Sequence, residues 1–338
     1  MPPAPDGTPS PELAVVIPTR DRRDVLTETL GRLARYAAGE PIEVVVVDDG
    51  SADGSAEAAE AFARGAPWPV TVLRQGGAGP ATARNAGVRA ASAPACLFIG
   101  DDSLPTAGLI AAHVRCHRQR PAPEEAALGL VQPAPPLDRS PLIRWLHEEG
   151  AQFGYAHLAS ERPVPPENFW TSNISVKREL LVDAGGFDEG FPAAACEDAE
   201  LGLRLAREHG LRLRYLPEAL ALHFHPTDLA RTLDRMRAIG VSYRRLRELA
   251  PEMPEPSRPA LRHRAKALAL TAALAARRTP RTRAASWRFL CDEALREAYW
   301  DAGPQSGPPR VGRALARLAL RDPLASPPAA AAPAPAAG

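Results

Sequence analysis

Along the first hundred residues, short apolar runs alternate with segments of helical spacing. "LAVVIPT" (13–19), "IEVVVVDDGS" (42–51), "VTVLRQ" (70–75) and "ACLFIGDD" (95–102) are mainly apolar until their last positions, broken only by Glu43 and Thr71. Runs without polar alternation are the pattern of strands buried on both faces of a parallel sheet. Between them, "RRDVLTETLGRLARYA" puts Val25, Leu26, Leu30 and Leu33 on one helical face. Asp53 stands where it can cap the helix "SAEAAEAFARG", and "GGAGPATARNAGVRAA" is a Gly-rich turn that runs into a helix. Strand, helix, strand, helix predicts an α/β, doubly wound, mostly parallel sheet.

The pattern then weakens. Residues 120–170 read as Pro-rich and irregular, with one helix at "LIRWLHEEGAQF". "FWTSNISVKRELLVDAGGFDE" follows as a strand, a helix and a Gly turn. "EDAELGLRLAREHG" reads as a helix with an acidic start, and "LRLRYLPEALALHFH" as one or two strands. From Asp228 to about Trp300 the spacing is helical and basic. The divisions expected are a disordered start (1–12), two halves of one α/β domain (13–108 and 109–226), a basic helical extension (227–305) and a Pro/Ala-rich, largely disordered tail (306–338).

Composition fits a globular chain: of 338 residues, 45% are hydrophobic and 24% charged. Four scattered cysteines, with no C-x-x-C pair, argue against a zinc site or a disulfide framework and suit a reducing cytosol. "MPPAPDGTPSPE" lacks the basic and apolar segments of a signal peptide, and no apolar run reaches the ~18 residues of a membrane span. A cytoplasmic location is expected. The net charge of +1 hides an asymmetry, because residues 231–322 hold 20 Arg or Lys against 9 Asp or Glu. That excess suits packing against an acidic body, or contact with anionic lipid at the inner face of a membrane. No zinc finger or aromatic-interleaved RNA motif is present, so no nucleic acid is expected as a partner.

The polar residues worth attention sit at strand ends: Thr19-Arg20-Asp21, Asp48-Asp49 and Asp101-Asp102. In open α/β sheets that edge is where ligands bind. Two adjacent carboxylates in "LFIGDDSLP" repel each other. They serve either a capped, solvated turn or a hard divalent cation whose shell is completed by phosphates. Arg84, in the first turns of its helix, suits an anion. Glu197 and Asp198 open a helix, where acids are favoured by about 0.3–1 kcal/mol each by the helix dipole; a carboxylate there also suits general-base work. His223 and His225, at i and i+2, share one face of a strand.

In this order, "VVIPTRDR", "VVVVDDGSADGS", "GPATARNAG", "LFIGDDSLP", "TSNISVKRELLVDAGGFDE", "CEDAELGLRL" and "PEALALHFHP" resemble family 2 glycosyltransferases of the GT-A fold. The resemblance covers about residues 13–226. It implies an inverting transferase that moves a sugar from a nucleotide-diphosphate donor to the hydroxyl of a glycan, lipid-linked or other acceptor, with Mn2+ or Mg2+. It places Pro18, Thr19 and Arg20 at the donor, Asp48 and Asp49 at the base, and Arg84 at the diphosphate. Asp102 becomes the metal ligand, with Asp101 nearer the ribose, and His223 and His225 reach the metal or the diphosphate. Asp198 is the implied base, with Glu197 as the alternative, and Trp170 and Asn173 flank the acceptor. The chain departs from the family's D-x-D, since Gly100 fills the first position, as in a GDD-containing subset.

Two rival functions were weighed against this one. A sugar-phosphate nucleotidyltransferase would carry a Gly-rich loop with a basic residue right after the first strand, and "IPTRDRRD" has no Gly. That enzyme also leaves the acidic helix start unexplained, and a non-catalytic binding module with a basic helical region lacks the zinc finger or aromatic-interleaved motif that would grip nucleic acid.

Overall fold

A computed structural model of the chain describes residues 10–149, 152–155, 158, 163–258, 260–301 and 309–327. Each apolar run of the first hundred residues is a strand: β1 (Leu13–Thr19), β2 (Ile42–Asp48), β3 (Val70–Arg74) and β4 (Ala95–Ile99). The helices α1 (Arg23–Ala37), α2 (Ser55–Ala63) and α3 (Pro80–Ala90) alternate with them. β5 (Ser103–Pro105) and α4 (Leu109–Gln119) lead into the second half. There β6 (Glu125–Pro133), α5 (Pro141–Glu148), β7 (Asn173–Lys177), α6 (Arg178–Asp183), α7 (Glu197–His209) and β8 (Arg212–His223) follow. All eight strands form one sheet in the order β3-β2-β1-β4-β7-β6-β8-β5. β1 to β4 run parallel. β7 is antiparallel to both β4 and β6 and so joins the two halves.

β1, β2 and β4 are buried on both faces, as their composition requires, whereas β3 at the sheet edge is only partly covered. Ala14, Val16, Val45 and Phe98 pack into a core on one side, and Leu13, Val15, Ile17, Val44 and Leu97 into a core on the other. At one close crossing, a Cβ on Gly87 of α3 would lie 2.3 Å from Val16 Cγ1, so only glycine lets this helix sit on β1.

Two expectations need correction. The stretch read as irregular contains β6, nine residues paired in parallel with β8. The register slips between Gly129 and Leu130, and β8 is one strand of twelve residues. In addition, residues 309–327, assigned to a disordered tail, include α11 (Arg313–Ala319), whose Leu315 and Ala316 are fully buried.

The basic segment forms α8 (Leu229–Leu249), α9 (Leu261–Ala276) and α10 (Pro280–Trp300). Asp228 caps α8 by accepting from Arg231 N, and Thr279 caps α10 through Thr282 N. Leu142, Trp145 and Leu146 of α5 share a core with Leu233 and Met236 of α8 and with Trp287 and Leu290 of α10. The extension is thereby fixed to the α/β body.

Candidate active site

A cleft of about 850 Å³ opens at the carboxyl ends of β1, β2 and β4, a size that suits a substrate pocket. Pro18, Thr19 and Arg20 line it, with Asp49, Gly77, Ala78, Gly79, Arg84, Asp101 and Asp102. Asp49 shapes the Gly-rich turn: its carboxylate accepts from Gln75 Nε2 and Ala78 N at 2.7 Å each and from Gly79 N at 3.0 Å. Arg20 Nη1 stands 3.9 Å away. Asp48 does not line the cleft. Its Oδ2 accepts from Ser51 N, so the residue expected at the base instead holds the turn after β2.

At the end of β4, Thr19 donates to Asp101 Oδ2 at 2.8 Å. Burial, reinforced by the neighbouring Asp102 charge, raises the Asp101 carboxyl to about 6. Burial also works against ionised Asp102, but His223, His225 and Arg22 outweigh it and hold this carboxyl well below the usual range. Arg22 was not singled out from the sequence. Its Nη1 donates to Asp101 Oδ1 at 3.2 Å and also to Asp102 Oδ2, while Nη2 lies 3.2 Å from His225 Nδ1.

The imidazoles are oriented by a chain of bonds. His147 Nδ1 lies 2.9 Å from the Ile143 carbonyl, which can only accept, so Nδ1 carries the proton. Burial lowers His147 to about 4; it is neutral, and its Nε2 is an acceptor. His223 Nδ1, 3.3 Å from that Nε2, is therefore the donor. His223 Nε2 faces Asp102 Oδ1 at 3.5 Å. His225 Nδ1 lies 3.2 Å from Arg22 Nη2 and 3.2 Å from Asp102 Oδ2. Ligand atoms of Asp102, His223 and His225 all lie within 4.8 Å of one another. One carboxylate and two imidazoles at this spacing could hold a metal ion. The donor set fits a divalent ion, and the guanidinium of Arg22 supplies positive charge at the same place.

A second part of the cleft wall is the start of α7. Arg84 Nη1 donates to Glu197 Oε1 at 2.8 Å, bringing α3 and α7 together. Asp198 lines the cleft beside this pair, its carboxylate accepting from Ala199 N at 2.8 Å and from Thr171 N at 3.5 Å. Burial first, and the Glu197 charge second, raise its carboxyl to about 6. Cys196, just before the pair, has φ 71, and Asp21, between Arg20 and Arg22, has φ 50. Among the described residues these two are the only non-glycine positions with positive φ, each costing about 1–3 kcal/mol. Both adjoin cleft residues. α7 is seated by Gly202, where a Cβ would stand 2.1 Å from the Pro166 carbonyl oxygen.

The two residues expected at the acceptor part company. Trp170 lines the cleft, its ring 5.6 Å from Phe153 and 4.9 Å from Tyr155. Asn173 is fully buried inside the sheet, where it donates to the carbonyls of Leu130 and Ala219 and its Oδ1 meets His113 Nε2 at 3.0 Å. All its polar atoms are used, and it does not reach the cleft. Sequence reasoning also missed Phe153, whose ring lies 5.7 Å from His223, and Arg235 and Ile239, which α8 contributes to the cleft. A helix read as an appendage thus forms part of the wall.

The fold is that of the GT-A glycosyltransferases. The mannosyltransferase PcManGT of Pyrobaculum calidifontis, solved with GDP-Man and Mn2+, superposes with a TM-score of 0.60 at 20% identity. The match covers 89% of this chain and 90% of that one. Residues 14–122 match the family model described as Glycosyl transferase family 2. Validoxylamine A glucosyltransferase of Streptomyces hygroscopicus subsp. limoneus is 32% identical over 223 residues, covering 60% of this chain and 49% of the relative. A PGL/p-HBAD biosynthesis glycosyltransferase of Mycobacterium bovis is 28% identical, covering 66% and 81%. Over residues 14–122 the chain is similar to family 2 of the glycosyltransferases, and these curated relatives are themselves named glycosyltransferases. It spans about half the length of its Streptomyces relative.

Proposed function

We propose that the protein is an inverting glycosyltransferase that uses a nucleotide-sugar donor, with Asp198 as general base and Asp102, His223 and His225 as ligands for a divalent ion. The observation that carries this reading is a single cleft lined by both groups, the acidic start of α7 and the Asp102–His cluster. Two imidazoles in the set favour Mn2+ over Mg2+, which prefers oxygen. When bound, such an ion offsets the charge on the departing nucleoside diphosphate.

The protein's own groups do the rest. Asp198 takes the proton of the acceptor hydroxyl as its oxygen bonds to the anomeric carbon. The bond from that carbon to the diphosphate oxygen breaks on the opposite face. A carboxyl raised to about 6 is ionised at neutral pH yet basic enough for this task. Arg20 supplies charge at the donor side, and the Trp170 face with Phe153 offers an apolar wall for a sugar ring. The neighbouring proteins suggest starting with GDP-mannose and glucose nucleotides.

The test is a donor panel with Mn2+, scored by release of nucleoside diphosphate, followed by NMR of the product. Release that depends on Mn2+, with an inverted anomeric centre, is expected. A retained configuration would remove Asp198 from the role of base in a single displacement.

A further inference from the structure

From Leu261 to Cys291 the chain contains no acidic residue, and its Arg and Lys lie largely on α9 and the turn after it. α9 packs through His263, Ala267 and Leu274. At 100° per residue, the opposite face carries Leu261, Ala265, Leu268, Ala272 and Ala276. Leu261 is 81% exposed and Leu268 70%. Arg264 borders this apolar strip on one side and Arg262 on the other, and Arg277, Arg278 and Arg281 crowd its C-terminal end.

The neighbouring helix repeats the combination. α11 packs against α9, and its outer face shows Arg313, Arg317 and Leu320 at i, i+4 and i+7, with Arg321 and Leu324 just beyond. Among the described residues there are five exposed large hydrophobic side chains, and four of them are Leu261, Leu268, Leu320 and Leu324. Arg264, Arg277, Arg278, Arg281, Arg313, Arg317 and Arg321 make no ion pair among the described residues. The acids near these helices are taken up elsewhere: Asp322 is buried and paired with Arg283, and Glu293 is buried and paired with Arg296 and His263.

We infer that the outer faces of α9 and α11 form a docking surface for an anionic lipid bilayer. Leucines projecting between unpaired arginines match the boundary between headgroups and acyl chains, where apolar side chains insert and cations meet phosphate. A nucleic acid would use the arginines but leave the leucines in water. A second copy of the chain would bring arginine against arginine. No helix among the described residues is long and apolar enough to cross a membrane, so the contact is peripheral.

Sedimentation of the full chain with vesicles tests this. Binding is expected to phosphatidylglycerol–phosphatidylcholine vesicles at low salt, weaker at high salt and absent with phosphatidylcholine alone. The triple change Arg264→Glu, Arg277→Glu and Arg278→Glu should weaken binding by about tenfold or more. Leu268→Asp, which removes an exposed apolar side chain and adds one negative charge, should weaken it at unchanged melting temperature, and Leu261→Ser with Leu268→Ser should weaken it at unchanged net charge. If the triple variant does not fold, Leu261→Ser with Leu268→Ser gives the same test on two exposed sites. Failure to bind phosphatidylglycerol vesicles at low salt overturns the inference. So does retention on heparin that Leu268→Asp leaves intact while vesicles are ignored, which marks a polyanion site. A dimer that Leu268→Asp dissociates, again without vesicle binding, assigns the face to self-association.

Discussion

Arg84 Nη1 and Glu197 Oε1 meet at 2.8 Å across the junction of α3 and α7, with both side chains largely buried. The pair occupies the residue expected at the diphosphate and one of the two residues considered as base. Glu197 therefore acts on Asp198 through charge. Replacing it by Gln removes the negative neighbour that helps raise Asp198 and leaves Arg84 uncompensated, and both changes lower the Asp198 carboxyl from about 6. In Glu197→Gln, the acidic limb of the kcat/KM profile should move to lower pH. The variant should also be less stable, by up to about 3–5 kcal/mol, the cost of leaving a buried charge unpaired. An inactive Glu197→Gln beside a near-normal Asp198→Asn would exchange the two roles.

Asp198→Asn should retain donor binding by calorimetry and lose turnover by about 10²–10⁴. It should also melt higher than the parent at neutral pH. A carboxyl raised in the folded state favours folding while it is protonated, and that contribution is lost as pH rises from about 4, the unfolded value, through about 6. Asn never ionises, so the gain in melting temperature should be present above pH 6 and vanish near pH 4. An equal gain at both pH values would point to packing instead of charge.

Arg22 answers the question raised by two adjacent carboxylates, since its guanidinium neutralises both. Arg22→Ala should lower the melting temperature in the presence of a chelator. Added Mn2+ should then raise it by more than in the parent, because the ion no longer competes with a tethered cation and ligand binding stabilises by mass action. Scanning fluorimetry with and without Mn2+ reads both effects. An Mn2+ shift equal to that of the parent would separate the guanidinium from the metal site.

His147 fixes the tautomer of His223 from behind. His147→Leu removes the acceptor that keeps the His223 proton on Nδ1, and Mn2+ affinity should fall about 10–100-fold, the usual effect of losing a partner of a ligating imidazole. His147→Gln, which can still accept, should recover part of it. Titration of Mn2+ followed by electron paramagnetic resonance measures this without turnover; unchanged affinity in His147→Leu would make the bond to His223 incidental.

The strands whose burial is complete on both faces were legible, because an unbroken apolar run such as "VVVV" (44–47) needs no knowledge of its partner. The strand-end acids were legible for the same reason: they follow such runs. β6 was not, because "EAALGLVQP" holds a Glu, a Gly and a Pro, and its strand character depends on pairing with β8, far along the chain. Glu125 is tolerated at its start because Arg212 and Arg214 of β8 bond to it at 2.7 Å. In "TRDRR" the sequence offers four charged side chains without saying which turns inward, and Arg22 was lost among them. Asn173 failed in the other direction. Beside Trp170 it looked like a cleft residue, but two carbonyls and a histidine inside the sheet use up its amide. The cleft residues from Phe153 and α8 carry no local signal, since their place is set by tertiary packing.

β7 runs against both of its neighbours, and its place in the middle of the sheet has a mechanical consequence. Hydrogen bonds pass without a break from β3 at one edge to β5 at the other, so the two halves of the domain are parts of a single plate. The strand ends that precede Asp49 and Asp102 share that frame, while α7 stands outside it and is placed by Gly202 against Pro166 and by Arg84.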